Sequence, residues 1–201
     1  MHGKLIVISG LLAFSLGAAA AAAEQPAAAR GALDIIHARK SVRHYLPQPV
    51  SEELLTTLMK AGMAAPTAAD KRPWAFVAVT DPARRRSLAQ ALPYGKMLEQ
   101  AGGAIVVCGL PKQSMPGKES EYWIQDCSAA SENILLACEA LGLGAVWVGV
   151  HPVPARVEAV RRALSLPASV VPLNVISLGY PAGVEKPKDK FDPAAIHWNQ
   201  W

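Results

Sequence analysis

Arg39-Lys40-Ser41-Val42-Arg43 and, further along, Ala65-Pro66-Thr67-Ala68-Ala69-Asp70-Lys71-Arg72-Pro73-Trp74 are the two stretches on which the reading of this chain turns. The first sets three fixed cations and a hydroxyl within one short segment, just past a helix expected over 33–39 from Leu33, Ile35 and Ile36. Guanidinium forks, an ammonium point charge and a short hydroxyl donor form the set that phosphate binding uses. Taken alone, a solvated basic turn has the same composition. The second stretch is a turn-rich loop that runs through Pro73-Trp74 into an apolar strand expected over 75–80.

Between them, 40–49 reads as extended. Ser51 is a good N-cap with Glu52 and Glu53 in the following turn, and Leu54, Leu55, Leu58 and Met59 form a helical stripe to about 64. Asp81-Pro82 opens a third helix to about 92, and a short helix is expected over 96–101. Apolar runs at 104–110, 145–150 and 170–178 read as buried strands, and 112–120 as a loop. The longest helix, 121–141, is apolar on several faces and is expected to be central; another covers 154–164. Four strands separated by helices predict one sheet with a helical layer on its faces. After Gly179-Tyr180-Pro181 comes a charged tail carrying Phe191, Trp198 and Trp201. Large aromatics cost about 25 cal/mol per Å² to leave in water, so the tail is expected to pack, most simply on a second subunit.

The chain has 201 residues, 51% hydrophobic and 18% charged, which suits one packed domain and argues against disorder. A net charge of +4 favours anionic ligands, yet no dense basic run interleaved with aromatics argues for nucleic acid; Arg84-Arg85-Arg86 reads as a solvated helix face. Residues 1–23 have the layout of a secretory signal peptide: Lys4, an apolar stretch over 5–16, then alanines with cleavage expected after Ala23. The expected organisation is a signal peptide at 1–23, an N-terminal tail at 24–32 and one domain at 33–201. Export to the periplasm with no lasting membrane anchor follows; a cytoplasmic protein is the alternative if the segment is not a working signal. Cys108, Cys127 and Cys138 are odd in number, and the latter two lie about 16 Å apart along one helix, so all three are expected as buried thiols. No His/Cys/Asp cluster has metal-ligand spacing.

The order R-x-S-x-R, then A-P-[ST]-x(5)-P-W, resembles the nitroreductase family of flavin mononucleotide (FMN) enzymes. The segments 94–101, 126–144 with its A-L-G-L-G ending, Val146-Trp147-Val148-Gly149, Leu178-Gly179-Tyr180-Pro181 and Lys188-Asp189-Lys190 continue the resemblance in order. It implies an α+β, nitroreductase-like fold with a mainly antiparallel sheet flanked by helices and a C-terminal tail swapped between two subunits. It also implies a homodimer with FMN at the interface and NADPH or NADH as donor. Arg39, Lys40 and Ser41 fall on the segment that holds the FMN phosphate and ribityl chain, and Lys188 and Lys190 on positions that close over the phosphate. Where the family often has arginine, Lys190 keeps the charge and loses the fork. Arg43, and secondarily Lys96, fall where a cation meets the flavin; a solvated helix lysine is the alternative for Lys96. Pro66, Thr67 and Ala68 match a loop reaching the flavin of the other subunit. Val148 and Gly149 match backbone near flavin N5, and Trp147 in the same strand end reads as a core or flavin-flanking wall. Asp70 and Arg72 replace residues that are often amides in the family, and either pair on the surface or line the substrate pocket.

The chemistry belongs to flavin N5, and no side chain is expected as a catalytic group. The resemblance implies a two-electron, ping-pong reductase of nitroaromatics, quinones or similar small acceptors. Another flavin chemistry on the same fold, a non-catalytic flavin module, and an anion-binding protein without flavin remain rivals. Export stands in tension with a nicotinamide donor. His37 and His44 have no carboxylate at useful spacing, and His151, before Pro152, is a candidate for proximity to the flavin.

Overall fold

The computed structural model describes residues 27–201. The signal segment at 1–23 and residues 24–26 lie outside the described residues. Helix α1, Ala27–Ala38, starts earlier than the reading placed it, so that residues 27–32 of the expected tail are helical. The apolar periodicity begins only at Leu33, but the alanines before it have the strongest intrinsic helix preference of any residue.

The remaining elements fall within a residue or two of expectation: α2 (Glu52–Met63), β1 (Trp74–Val79), α3 (Pro82–Ala91), β2 (Gly103–Gly109), α4 (Tyr122–Ala140), β3 (Gly144–Gly149), α5 (Pro154–Leu164) and β4 (Val171–Gly179). The helix starts have identifiable causes. Ser51 accepts from the Leu54 amide at 3.2 Å, and Asp81 accepts from the Ala83 amide at 2.8 Å with Pro82 at the first helical position. The short helix expected over 96–101 is a 3-10 turn, Lys96–Glu99.

The four strands form one antiparallel sheet in the order β1-β2-β4-β3. Period-two alternation feeds a core on each face. Ile105, Val107, Ile176 and Leu178 meet Leu55 and Leu58 of α2 and Ile134 and Leu135 of α4. On the other face Val106, Cys108, Val146, Val148 and Val175 meet Leu88 and Leu92 near α3 and Val160 of α5. Residues such as Leu58, Leu88 and Ile176 have no solvent exposure, and each contributes about 1.5–3 kcal/mol by burial. The three cysteines are free and buried, and burial pushes each thiol up to about 12.

The basic segment closes the β3 edge of this sheet. Ser41 bridges Ala145 in parallel, and the Val42 amide donates to the Ala145 carbonyl at 2.9 Å. Farther on, the Leu46 amide donates to the Tyr180 carbonyl at 2.8 Å and the Ala182 amide to the His44 carbonyl at 3.0 Å. The buried Tyr45 hydroxyl donates within reach of two carbonyls, Val42 at 2.8 Å and Ser177 at 3.0 Å. Burial holds this phenol well above its ordinary value. Val42 is buried while Ser41 and Arg43 on either side are exposed. Its side chain fills the notch left by Gly144, where an added Cβ would come within 2.6 Å of Val42 Cγ1.

Gly144→Ala should therefore push the basic segment off the sheet edge and cost about 1–3 kcal/mol, the usual range for overpacking. Urea unfolding is the measurement, and an unchanged midpoint would show that the notch carries no strain.

Candidate functional site

Pairing Ser41 and Val42 with Ala145 of β3, and Tyr45 with Pro181 just past β4, sorts the side chains of the basic segment. Arg39 reaches a surface groove of about 680 Å³, which it shares with His37 at the end of α1 and with Lys188, Asp189, Lys190 and Phe191 of the tail. Three of the expected phosphate cations, from opposite ends of the domain, are thus brought together by the fold. Two guanidinium or ammonium donors beside a third suit an anion of more than one charge.

Lys40 is not part of that groove. Its ammonium lies 2.9 and 3.0 Å from the two carboxylate oxygens of Glu139 on α4, with the Ala38 carbonyl at 3.5 Å. All three ammonium donors are thereby engaged, so the Lys40 side chain anchors the backbone rather than facing the groove. Arg39 has its own carboxylate on α4: Nε lies 3.0 Å from Oε1 of Glu132. Both glutamates escaped the sequence reading. They stand seven positions apart, two turns along one face of α4, but nothing in the sequence says which cations that face meets.

Arg43 and Lys96 line a second recess of about 330 Å³ with His44, Met97, Glu99 and Gln100. Both are exposed, so their charges are available to a ligand entering it. His44, read as having no carboxylate partner, has Glu185 of the tail 3.7 Å from its Nδ1.

Pro66, Thr67 and Ala68 line a third recess, about 350 Å³, against Tyr122, Gln125, Asp126 and Ala129 of α4. The loop is held by the Ala68 amide, which donates to Asp126 Oδ1 at 2.9 Å, and by Thr67 Oγ1, which accepts from the Arg72 amide at 3.1 Å. Asp126 is buried and was not singled out from the sequence. Beyond Ala68 the backbone turns left-handed at Ala69, Asp70 and Arg72, with φ of 47°, 52° and 50°. Non-glycine residues rarely adopt this region. Asp70 and Arg72 pair with one another, Arg72 Nε donating to Asp70 Oδ1 at 2.7 Å with both side chains largely in water, and both also line a recess of about 380 Å³ with Met63, Ala64, Ala65 and Trp74. The guanidinium holds the Asp70 carboxyl below its ordinary value.

At the end of β3, Val148 points into the core, so only its backbone is available to a ligand. Trp147 is partly exposed, and Gly149 faces open space, with no atom within 4 Å of where a Cβ would stand. His151 packs edge-on against Trp123, ring centroids 4.9 Å apart. Burial lowers its basicity, and the charge of Glu121 offsets part of that. A cavity of about 620 Å³ beneath the Pro47–Pro49 turn, next to the buried Arg85, contains none of the expected site residues.

The sequence profile described as the Nitroreductase family matches residues 36–93 and 89–180. The chain belongs to the nitroreductase family. A Methanothermobacter thermautotrophicus protein, whose name pairs NADH dehydrogenase with NAD(P)H nitroreductase, is 45% identical over 170 residues, 84% of this chain and 87% of its own length. A crystal structure under the same double name from Bacteroides thetaiotaomicron superposes with a TM-score of 0.80 at 51% identity, covering 85% of this chain and 98% of that one. The NADPH:FMN oxidoreductase of Vibrio harveyi, solved with NAD+, superposes with a TM-score of 0.74 at 27% identity, over 85% of this chain and 77% of that one. The nitroreductase fold expected from the motifs is the fold observed.

For this nitroreductase, Glu139→Ala should leave the mostly buried Lys40 ammonium without a counter-ion. A loss of about 1–2 kcal/mol is expected, below the cost of a fully buried pair because both groups keep some exposure. Thermal unfolding checks it: a melting point within a degree of the parent would mean that water replaces the carboxylate without cost.

Proposed function

We propose that this nitroreductase-family protein is an FMN-dependent NAD(P)H oxidoreductase that passes two electrons to nitroaromatic, quinone or similar small acceptors in a ping-pong sequence, working as a homodimer. The observation that carries the reading is the convergence of Arg39, Lys188 and Lys190 on one groove. That donor set fits a phosphomonoester, which carries close to two negative charges near neutral pH. Relatives named FMN reductase (NADPH) in Bacillus subtilis and oxygen-insensitive NADPH nitroreductase in Salmonella typhimurium, 23% and 26% identical, support the cofactor and donor classes. When bound, FMN supplies the two-electron transfer between nicotinamide and acceptor.

The protein's share is to bind, orient and polarise. Arg39, Lys188 and Lys190 grip the phosphate, and the exposed Ser41 hydroxyl adds a donor from the same extended segment. Arg43 and Lys96, facing one recess, supply positive charge where negative charge grows during reduction. Gly149 leaves space for a planar ring system, and Val148 offers main-chain groups beside it. Donor and acceptor take turns on one open face, so neither has to be held while the other is present. The Pro66–Ala68 recess belongs to the site of the partner subunit in this reading. The signal-like segment at 1–23 supports export, and for an exported enzyme the donor is whatever reduced nicotinamide or substitute that compartment holds.

The purified protein is expected to be yellow, to bleach in anaerobic titration with NADPH or NADH, and to recover its colour on adding a nitroarene or a quinone. Arg39→Ala should weaken FMN binding by about 10–100-fold, the worth of a charge-assisted contact. A folded protein that stays colourless with excess FMN would falsify the assignment.

The tail supports the dimer. Trp198 and Trp201 are 82% and 99% exposed in the single chain, as is most of Phe191. So much aromatic surface is seldom left in water by a soluble monomer. Deleting residues 191–201 should shift the protein from dimer to monomer in sedimentation equilibrium; a truncated chain that remains fully dimeric removes the tail from the interface.

A further inference from the structure

The two cations that open the basic segment are both met by α4, but they are met differently. Lys40 gives all its donors to Glu139 and the Ala38 carbonyl. Arg39 and Glu132 form an ion pair whose closest atoms, Nε and Oε1, are 3.0 Å apart. A guanidinium carries five N–H donors in a rigid planar fork, so one carboxylate beside it leaves donors for a second anion. That side chain also lines the groove shared with Lys188 and Lys190. Its position at the groove is therefore set by a carboxylate of α4.

We propose that Glu132 is a positioning residue for the FMN phosphate: its charge holds the Arg39 guanidinium at the groove, where its remaining donors meet the ligand. The proposal rests on the FMN reading given above and adds to it the residue that orients the clamp. Three observations support it. Glu132 is half-exposed, its side chain keeping 48% of its accessible surface, so it is not needed as a buried structural charge. It sits two helical turns from Glu139, so the same rigid face of α4 fixes the backbone through Lys40 and the side chain through Arg39. Finally, Arg39 lies where the chain leaves α1 for the sheet edge, its amide still bonded to the Ile35 carbonyl at 2.9 Å; the backbone is set there, and the long side chain is what remains to be ordered. Ordering an arginine before the ligand arrives removes an entropy cost from binding. A carboxylate beside the guanidinium also sharpens the choice of ligand, since an anion with only one acceptor oxygen gains little from a fork already aimed for two.

The test compares FMN with riboflavin, which has the same ring and ribityl chain and no phosphate. Affinities of the full-length protein are read by flavin fluorescence for the parent, Glu132→Ala, Glu132→Gln, Arg39→Ala and the Arg39→Ala/Glu132→Ala double variant. Glu132→Ala is expected to weaken FMN about tenfold and to leave riboflavin unchanged. Glu132→Gln, which keeps an acceptor oxygen at the same reach, should restore most of the loss. In the Arg39→Ala background, removing Glu132 should change nothing. Equal losses for FMN and riboflavin would reduce Glu132 to a general structural role. Tighter FMN binding in Glu132→Ala would make it a competitor of the phosphate, and additive losses in the double variant would separate it from Arg39; each of these overturns the proposal. A parent protein that binds FMN normally while ignoring Glu132→Ala sinks this inference alone, whereas a parent that binds no FMN takes the functional reading down with it.

Discussion

The one contact on which the site depends is the seam where Ser41 and Val42 pair with Ala145 at the edge of β3. Val42 is inserted where Gly144 has no side chain, and its amide pairs with Ala145. An extended segment with one residue locked inward has no freedom about the next: Ser41 and Arg43 must face out. Upstream, the same seam fixes where α1 ends, and so places Arg39 and Lys40 against α4. A slip of one residue along β3 would bury Ser41 or Arg43 and expose Val42. The register is thus enforced by the cost of burying an unpaired charge, a cost larger than any single contact at the site.

That seam matters because the rest of the sheet has no room for chemistry. Both faces are covered, by α2 and α4 on one side and α3 and α5 on the other, and β2 is buried along its whole length. Some polar groups inside this block answer to one another: the Asn174 amide donates to Ser131 Oγ at 2.8 Å and Ser131 donates to the Cys127 carbonyl at 2.8 Å, while Asn174 Oδ1 and Ser177 Oγ have no partner among the described residues. Ligand-binding groups are left to the places where backbone ends or edges reach water: the β3 edge, the loop before β1 and the tail. This is why the cations come from opposite ends of the domain. The thiols, by contrast, lie in the core, where burial keeps them protonated at any ordinary pH.

Most of the fold was legible because its signals are local. Ser51 and Asp81 announce their helices, and β2 is a continuous apolar run between turn formers. The start of α1 was missed because alanine carries helix preference without periodicity, so a pattern search finds nothing before Leu33. The site was legible in its residue types and only partly in its arrangement. Three cations in five residues imply an anion, but which of them turns toward it depends on the carboxylates of a helix some hundred positions away. Lys40 and Arg39 are neighbours in sequence and have opposite fates for that reason. Likewise His44 looked unpaired because Glu185 comes from the tail, and Asp126 carried no motif because its role is to accept one amide from a loop.

The surface of the single chain is consistent with half of a larger object. The cation groove, the Arg43–Lys96 recess and the Pro66–Ala68 recess have no lining residue in common. On the proposed function, a phosphorylated tricyclic ligand would draw on more than one of them. The loop with the left-handed turns, the partly exposed Trp147 and the solvated aromatics of the tail all lie outside the packed block. Backbone strain and exposed indole are each unfavourable in isolation, and both become tolerable when a second copy supplies contacts that over-determine them. On the proposed dimer, the segments that one chain leaves unsatisfied are the ones that complete the site of the other, so cofactor binding and association draw on the same residues.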